Sequence, residues 1–142
     1  MSSIIWDRDM AEVYDQTYRA KFELSVLGPI VDLLAGLAGG GPALEFAVGT
    51  GRVALPLSAR GVAVHGLELS PHMAAQLGAK PGADSVPVTI GDMTTTRVPG
   101  APFTLVYLVA NTIMSVTTQD AQLAVFANAA AQLEPGAASW WK

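Results

Sequence analysis

The sequence predicts an α/β fold: a doubly wound, mostly parallel sheet preceded by helices at the amino end of the chain. Two observations support this prediction. Short apolar runs alternate with helical patterns from Ala43 onward, and strands that alternate with helices form parallel sheets with right-handed crossovers. The first apolar run also leads into a turn with two glycines separated by one residue, and such strand-to-helix turns hold ligands. The 142 residues suffice for one domain with its own core.

Two helices are predicted before the first strand. Apolar and aromatic residues recur at helical intervals from Trp6 to Phe22, and a second helix is predicted from about Glu23 to Leu37. Pro29 lies inside the second range and predicts a kink or a later start. Residues 39–42, Gly-Gly-Gly-Pro, then interrupt the chain before the sheet begins.

Strands and helices then alternate. Four strands are predicted, at Ala43–Val48, Val62–Leu67, Val86–Ile90 and Phe103–Ala110. Three helices are predicted, one ending near Arg60, one from Pro71 to about Gly78, and one from Thr118 to Leu133. Ser70 is a good N-cap residue for the second of these helices, and Gly61 suits the end of the first. Glu134-Pro135-Gly136 is expected to end the last helix.

Composition excludes several classes of partner. The formal net charge is −4 and the few Lys and Arg residues are scattered, so we expect no nucleic-acid or membrane partner. No cysteine is present, and His65 and His72 lack a zinc-ligand spacing, so no metal site is expected. The amino-terminal residues lack a basic region followed by an apolar one, so we expect no signal peptide. We predict a cytoplasmic protein, and the high Ala, Gly and Pro content is compatible with a bacterial genome rich in GC.

The glycine turn leaves two kinds of cofactor open. Residues 49–54 fit the G-x-G-x-x-G/A dinucleotide pattern, and Glu68 lies near the distance expected for a ribose-binding acid. Glu45, four residues before the first glycine, favours the other kind. Its negative charge would oppose a pyrophosphate and would favour a cofactor that carries ammonium and sulfonium groups. An ordinary tight turn with a partly exposed Glu is the structural alternative.

Five segments resemble the motifs of class I S-adenosylmethionine-dependent methyltransferases. They are Leu44–Arg52, Gly66–Met73, Gly91–Met93, Phe103–Thr112 and Leu133–Gly136. The resemblance covers nearly the whole chain after Ala43. It implies a Rossmann-like sheet with strand order 3-2-1-4, and S-adenosylmethionine as the cofactor. It also implies that residues 43–142 bind this cofactor, while residues 1–42 form a helical lid.

The resemblance implies roles for the glycine turn and for the acids beside it. The turn that would approach the methionine moiety and ribose of the cofactor consists of Gly49, Thr50, Gly51 and Arg52. Glu45 would orient this turn and the amino group of the cofactor. Glu68, at the end of strand two, would accept hydrogen bonds from both ribose hydroxyls, because a carboxylate has two acceptor oxygens.

Further positions would surround the adenine and the transferred methyl group. The resemblance places three residues at the adenine, namely Leu69, Asp92 and Met93. The acid among them would accept a hydrogen bond from the adenine amino group, or would cap a turn. Asn111 would face the methyl group, or would serve a turn of its own. Tyr14 and Tyr18 share one helix face, from which they would close over the cofactor or enter the core.

These roles predict an S-adenosylmethionine-dependent methyltransferase that acts on a small-molecule acceptor. No general base is identified, so no catalytic residue is assigned. Two alternatives stay open at this point. One is a non-catalytic S-adenosylmethionine-binding remnant that works through self-association, and the other is an NAD(P)-dependent oxidoreductase.

The carboxyl end of the chain departs from the family pattern. Only residues 137–142 follow the Pro-Gly turn, whereas the family continues into a fifth strand, a helix and a hairpin. We therefore expect a C-terminally short member whose sheet is truncated after strand four. Phe103–Ala110 would then be an exposed apolar edge, which is prone to association. A homo-oligomer is predicted, formed edge to edge or by exchange of elements.

Overall fold

The computed structural model of the chain describes residues 7–17, 24–109 and 118–141. Its five helices are α1 (Arg8–Thr17), α2 (Leu24–Ala38), α3 (Ala54–Ala59), α4 (Pro71–Gly78) and α5 (Gln119–Gln132). Its five strands are β1 (Ala43–Phe46), β2 (Val64–Glu68), β3 (Val88–Ile90), β4 (Phe103–Leu108) and β5 (Leu133–Trp141). Helices and strands alternate from β1 to β3, a loop joins β3 to β4 as the sequence predicts, and α5 lies between β4 and β5. A single 3₁₀ turn at Ala83–Ser85 lies between α4 and β3.

The strands form one parallel sheet in the order β3-β2-β1-β4-β5. Glu45 of β1 lies opposite Gly66 of β2 on one side and opposite Tyr107 of β4 on the other. The chain proceeds from β1 through β2 to β3 on one side, and then continues through β4 to β5 on the other. The strand order therefore reverses beside β1, and open α/β sheets bind ligands at the carboxyl ends of strands at such a reversal.

Helices cover both faces of this sheet. On one face the core contains buried side chains of α2, α3 and α4, including Leu34, Leu57 and Leu77. On the other face α5 packs through Val125 and Ala129 onto the apolar residues of β1 and β4. Because strand side chains alternate between faces, β4 contributes to both cores, as its continuous apolar sequence predicts. The doubly wound parallel fold is thus confirmed.

Two helices begin at residues whose side chains cap them, and the sequence predicts the first of these caps. The Ser70 hydroxyl oxygen accepts a hydrogen bond from the Met73 amide at 3.3 Å, with Pro71 in the first turn of α4. Thr118 caps α5 in the same way, accepting from the Ala121 amide at 3.1 Å. Each cap satisfies an amide that has no partner within the helix, which stabilises a helix by about 1 kcal/mol.

The expected truncation after strand four is wrong. Ala138 to Trp141 pair with Leu105 to Leu108, so β5 lies beside β4 and extends the sheet. Pro and Gly at 135–136 predict the end of a helix, and α5 does end shortly before them, at Gln132. They then lie in a bulge, where the ladder register shifts between Phe103 and Leu105 and Gly136 has a φ of +81°. The edge of β4 is paired, so the prediction that Phe103–Ala110 is an exposed edge is also wrong.

Candidate functional site

The turn after β1 is a sharp reversal built on left-handed backbone conformations. Gly49 and Gly51 have φ values of +61° and +84°, a region that glycine enters at little cost. A Cβ added to Gly51 would lie 3.0 Å from the side chains of Leu55 and Leu77. Gly51 therefore also allows α3 and α4 to pack closely against the turn, a role that the sequence did not predict.

Glu68 connects the end of β2 to this turn. Its Oε1 accepts a hydrogen bond from the Gly49 amide at 2.8 Å, and its Oε2 accepts one from the Ser70 amide at 2.9 Å. Burial raises the pKa of Glu68, and the amide hydrogen bonds of Ser70, Gly49 and Leu69 oppose that rise. Each carboxylate oxygen has a second lone pair, so Glu68 keeps the capacity to accept from a ligand.

Glu45 is a second buried acid beside the turn, with 4% of its surface exposed. The hydroxyl of Tyr107, which is fully buried, donates to Glu45 Oε1 at 2.9 Å. Burial raises the pKa of Glu45 from 4.5 to about 8, against the lowering effects of the Tyr107 hydrogen bond and the Arg52 charge. The negative charge of Glu68 adds to the rise. Two acids thus meet at the carboxyl ends of β1 and β2.

Thr50 and Arg52, both predicted site residues, are buried at the same turn. The Thr50 carbonyl oxygen accepts a hydrogen bond from Lys80 Nζ at 2.8 Å, which ties the turn to the segment after α4. Arg52 lies close enough to Glu45 to lower the pKa of its carboxyl group. The Lys80 hydrogen bond therefore helps to hold the backbone of the turn in place.

Asp92 lies in a tight turn after β3. Its Oδ1 accepts hydrogen bonds from the amide and the hydroxyl of Thr94, at 2.8 and 2.7 Å. Among the described residues, Oδ2 of the same carboxylate accepts none. One oxygen of Asp92 therefore caps the turn, as one of the two predicted roles requires. The other oxygen can still accept a hydrogen bond from the adenine amino group. The Gly91 amide donates to the Glu68 carbonyl at 2.9 Å, which fixes this turn next to β2.

The structure describes the remaining predicted site residues to different extents. Leu69 is half-buried directly after Glu68, whereas the Met93 side chain is buried in the core under α5. Tyr18 and Asn111 lie outside the described residues, and Tyr14 is described only as backbone within α1. The helix α1 packs against α4, whose first turn adjoins Glu68.

Sequence reasoning missed four residues that support the site. They are Tyr107, Lys80, Asn128 and Gln132. A signal for the first existed, because an acid within an apolar strand needs a buried donor and a tyrosine lies in the apolar strand β4. Asn128 and Gln132 are four residues apart, on the helix face that also presents Val125. No local sequence pattern predicts the contact of Lys80 with the turn.

One depression of the described structure lies away from the predicted site. A depression of about 310 Å³ is lined by Leu37, Thr104 and residues 134–138, and it contains none of the predicted site residues. Within residues 7–17, 24–109 and 118–141 no group of His, Asp and Glu is arranged to hold a metal ion. In the same ranges no helix has the length and apolar character needed to cross a membrane.

The family profile described as "Methyltransferase domain" matches residues 43–136, which include the glycine turn, both acids and the Asp92 turn. The chain belongs to the class I S-adenosylmethionine-dependent methyltransferase family. The match begins at β1 and ends in the bulge of β5, so it covers β1 to β4, α3 to α5 and the start of β5.

Solved methyltransferase structures share this fold. The CcbJ methyltransferase from Streptomyces caelestis is 30% identical, with a TM-score of 0.82 over 98% of this chain and 57% of its own. DesVI from Streptomyces venezuelae is 28% identical, with a TM-score of 0.76 over 94% of this chain and 57% of its own. CalS10 from Micromonospora echinaspora, an amino pentose methyltransferase solved with S-adenosylmethionine bound, is 27% identical, with a TM-score of 0.74. It matches 89% of this chain and 54% of its own.

The chain therefore spans little more than half the length of these methyltransferases. Among curated proteins, none matches the chain. Neither the family profile nor the structural matches support the two alternatives left open by the sequence, the NAD(P)-dependent oxidoreductase and the non-catalytic remnant.

Proposed function

We propose that the chain binds S-adenosylmethionine at the turn after β1 and takes part in methyl transfer to a small-molecule acceptor. The observation that carries the proposal is the position of the Glu68 carboxylate, which already accepts a hydrogen bond from the Gly49 amide. A dinucleotide pyrophosphate would need this amide as a donor and would meet the charge of Glu68 there. A ribose hydroxyl, by contrast, donates to a carboxylate.

The second acid supports the same cofactor. Glu45 is buried between Tyr107 and Arg52, at the carboxyl end of β1. A ligand ammonium near Glu45 would favour its charged form and would be favoured by it in return. The residues present therefore fit a cofactor that is cationic at one end and carries ribose and adenine at the other.

When bound, the cofactor supplies an activated methyl group, so the protein mainly positions the reactants and excludes water. We assign Glu45 to the amino group and Glu68 to the ribose hydroxyls. Leu69 and Asp92 are assigned to the adenine. The turn from Gly49 to Arg52 is assigned to backbone contact with the methionine moiety and ribose. Asn111, Tyr14 and Tyr18 keep their predicted roles near the methyl group and in the lid as part of this proposal.

The acceptor is proposed to be a small molecule, with amine-bearing sugars as the first compounds to test. CalS10 supports this choice, because it is named as an amino pentose methyltransferase and shares the fold over most of this chain. The predicted cytoplasmic location, bacterial origin and homo-oligomeric state stay predictions. The surface proposed for self-association is now the outer edge of β5, since the edge of β4 is paired.

Two acid-to-amide variants test the cofactor assignment. Glu68→Gln removes the charge and turns one acceptor into a donor that faces a backbone amide. We expect the Kd for S-adenosylhomocysteine to rise at least about tenfold, since charge-assisted hydrogen bonds are lost. Glu134→Gln makes the same change in the bulge of β5, among the residues lining the depression, and should leave the Kd unchanged. Equal Kd values for Glu68→Gln and wild type would contradict the assignment.

A mass-spectrometric screen tests turnover. The chain is incubated with S-adenosylmethionine and amine-bearing sugars, and each acceptor is examined for an added methyl group. We expect a methylated product with the wild type and with Glu134→Gln, but not with Glu68→Ala. Cofactor binding without product from any acceptor would contradict methyl transfer by this chain and would favour a non-catalytic binding domain.

A further inference from the structure

The helix α5 carries two buried polar side chains on its inner face. Asn128 and Gln132 are each 2% exposed, in a helix otherwise rich in alanine. A buried amide is destabilising unless its donors and acceptors are paired. In the described part of the chain every buried side-chain nitrogen and oxygen has a partner, so these two side chains have fixed contacts.

Those contacts are made with the backbone that follows β3. Asn128 Nδ2 donates to the Met93 carbonyl at 3.0 Å and to the Thr96 carbonyl at 2.9 Å. Gln132 Oε1 accepts from the Val98 amide at 2.7 Å, and its Nε2 lies 3.3 Å from the Thr96 carbonyl. The two side chains also contact each other, since Gln132 Nε2 lies 3.3 Å from Asn128 Oδ1.

The same backbone segment holds Asp92. The Asp92 amide donates to Thr96 Oγ1 at 3.0 Å, and the Thr96 amide donates to the Asp92 carbonyl at 2.8 Å. Thr94 occupies one oxygen of the Asp92 carboxylate. A continuous series of hydrogen bonds therefore runs from Asn128 through Thr96 to the acid proposed to contact the adenine.

We propose that Asn128 and Gln132 are positioning residues, which hold the loop from Asp92 to Val98 in the conformation that recognises the base of the cofactor. The proposal rests on the proposed cofactor site. Neither side chain is proposed to touch the base. They act through Thr96 and Met93 on the direction in which the second oxygen of Asp92 presents its lone pairs.

The base specificity of binding separates this role from simple stability. S-adenosylhomocysteine offers an amino donor at the position where S-inosylhomocysteine has a carbonyl acceptor, and a carboxylate acceptor favours the former. We expect the wild type to prefer the adenosyl compound by at least about tenfold in Kd. Asn128→Leu keeps the branched shape and the number of side-chain heavy atoms and removes the donors, and should reduce this preference to roughly twofold or less.

Val125→Ala is the matched control. Val125 is fully buried on the same helix, so its truncation destabilises α5 without removing a hydrogen bond. Its preference for the adenosyl compound should equal that of the wild type. Gln132→Met, a milder change that removes only the contacts of Gln132, should reduce the preference in the same direction if Asn128→Leu does not fold. Circular dichroism confirms the folded fraction of each variant.

The outcomes are distinct. A wild type that binds neither compound contradicts the proposed function itself. A wild type that binds both equally contradicts the inference alone, because the loop then does not recognise the base. An unchanged preference in both Asn128→Leu and Gln132→Met, or an equal loss in Val125→Ala, also overturns the positioning role. Loss confined to the two polar positions supports it.

Discussion

Glu45 shows how one residue couples the fold to the chemistry of the site. Its carboxyl group is buried beside Tyr107, which donates to it, and its pKa rises to about 8 because burial outweighs the opposing effects of Tyr107 and Arg52. In the unfolded chain the same group has an ordinary pKa near 4.5. Below about pH 8 the folded state therefore keeps Glu45 protonated, and a cationic ligand that approaches favours release of that proton.

The raised pKa of Glu45 predicts a pH dependence of stability. Between about pH 4.5 and pH 8 the folded state holds a proton that the unfolded state has lost, so the free energy of unfolding falls as pH rises through this window. Glu45→Gln removes this contribution and should be more stable than wild type at pH 8, with a much smaller difference at pH 5. Urea unfolding followed by circular dichroism at both pH values checks this. Parallel pH profiles for the two proteins would contradict it.

Ala47 has a φ of +55°, in a region that residues with a Cβ rarely adopt. The left-handed conformation costs an L-residue about 1–2 kcal/mol, and glycine loses about 0.5–1 kcal/mol through its greater freedom when unfolded. We expect Ala47→Gly to stabilise the protein by about 0.5–1 kcal/mol. Ala75→Gly, on the exposed side of α4, should destabilise it by about 1 kcal/mol. Thermal unfolding of both variants measures the difference, and equal Tm shifts would contradict the strain at Ala47.

At the level of elements, local patterns predicted four strands and the N-cap of α4. Apolar runs identify β1 and β4, which are buried on both faces, and Ser70 marks the start of α4 by its side-chain chemistry. The strand β5 was missed because Pro135 and Gly136 predict an end to regular structure. Only the pairing with β4 places them in a bulge, and that pairing is a long-range property.

The site likewise contains features that local sequence predicts and contacts that depend on long-range pairing. The identity and place of Glu45, Glu68 and Asp92 came from their position at strand ends and from the family resemblance. Their partners came from elsewhere in the chain: Tyr107 lies 62 residues from Glu45, and Asn128 lies 35 residues from Met93. No local pattern specifies these pairs. They depend on the register of β1 against β4 and on the position of α5 against the sheet.

The strand β5 is expected to contribute to stability through its last residue. The Trp141 ring packs against Phe126 at 4.7 Å between centroids, and its centroid lies 6.3 Å from that of Phe46. We expect Trp141→Ala to lower the free energy of unfolding by about 2 kcal/mol, less than for a fully buried aromatic because Trp141 is half-buried. Ser139→Ala, at an exposed position of β5, is the control and should change little. Urea unfolding measures both, and an unchanged midpoint for Trp141→Ala would exclude packing of β5 as described.

At the scale of the whole molecule, the sheet has β3 and β5 as its outer strands. Exposed apolar side chains of α5, Leu123 and Phe126, lie on the helix that packs beside β5. An unpaired strand edge with apolar neighbours favours association, so we predict that the isolated chain self-associates. Sedimentation velocity over a range of protein concentrations checks this. A single monomer species at every concentration would contradict it.

The central claim is that the turn after β1, closed by the Glu68 carboxylate, is a site for a cationic ribose-bearing cofactor and not for a dinucleotide. Calorimetric titration of the wild-type chain with S-adenosylhomocysteine, and separately with NAD, tests this most directly. We predict saturable binding of S-adenosylhomocysteine with a Kd in the micromolar range and no measurable heat of binding for NAD. Saturable binding of NAD without binding of S-adenosylhomocysteine would contradict the account.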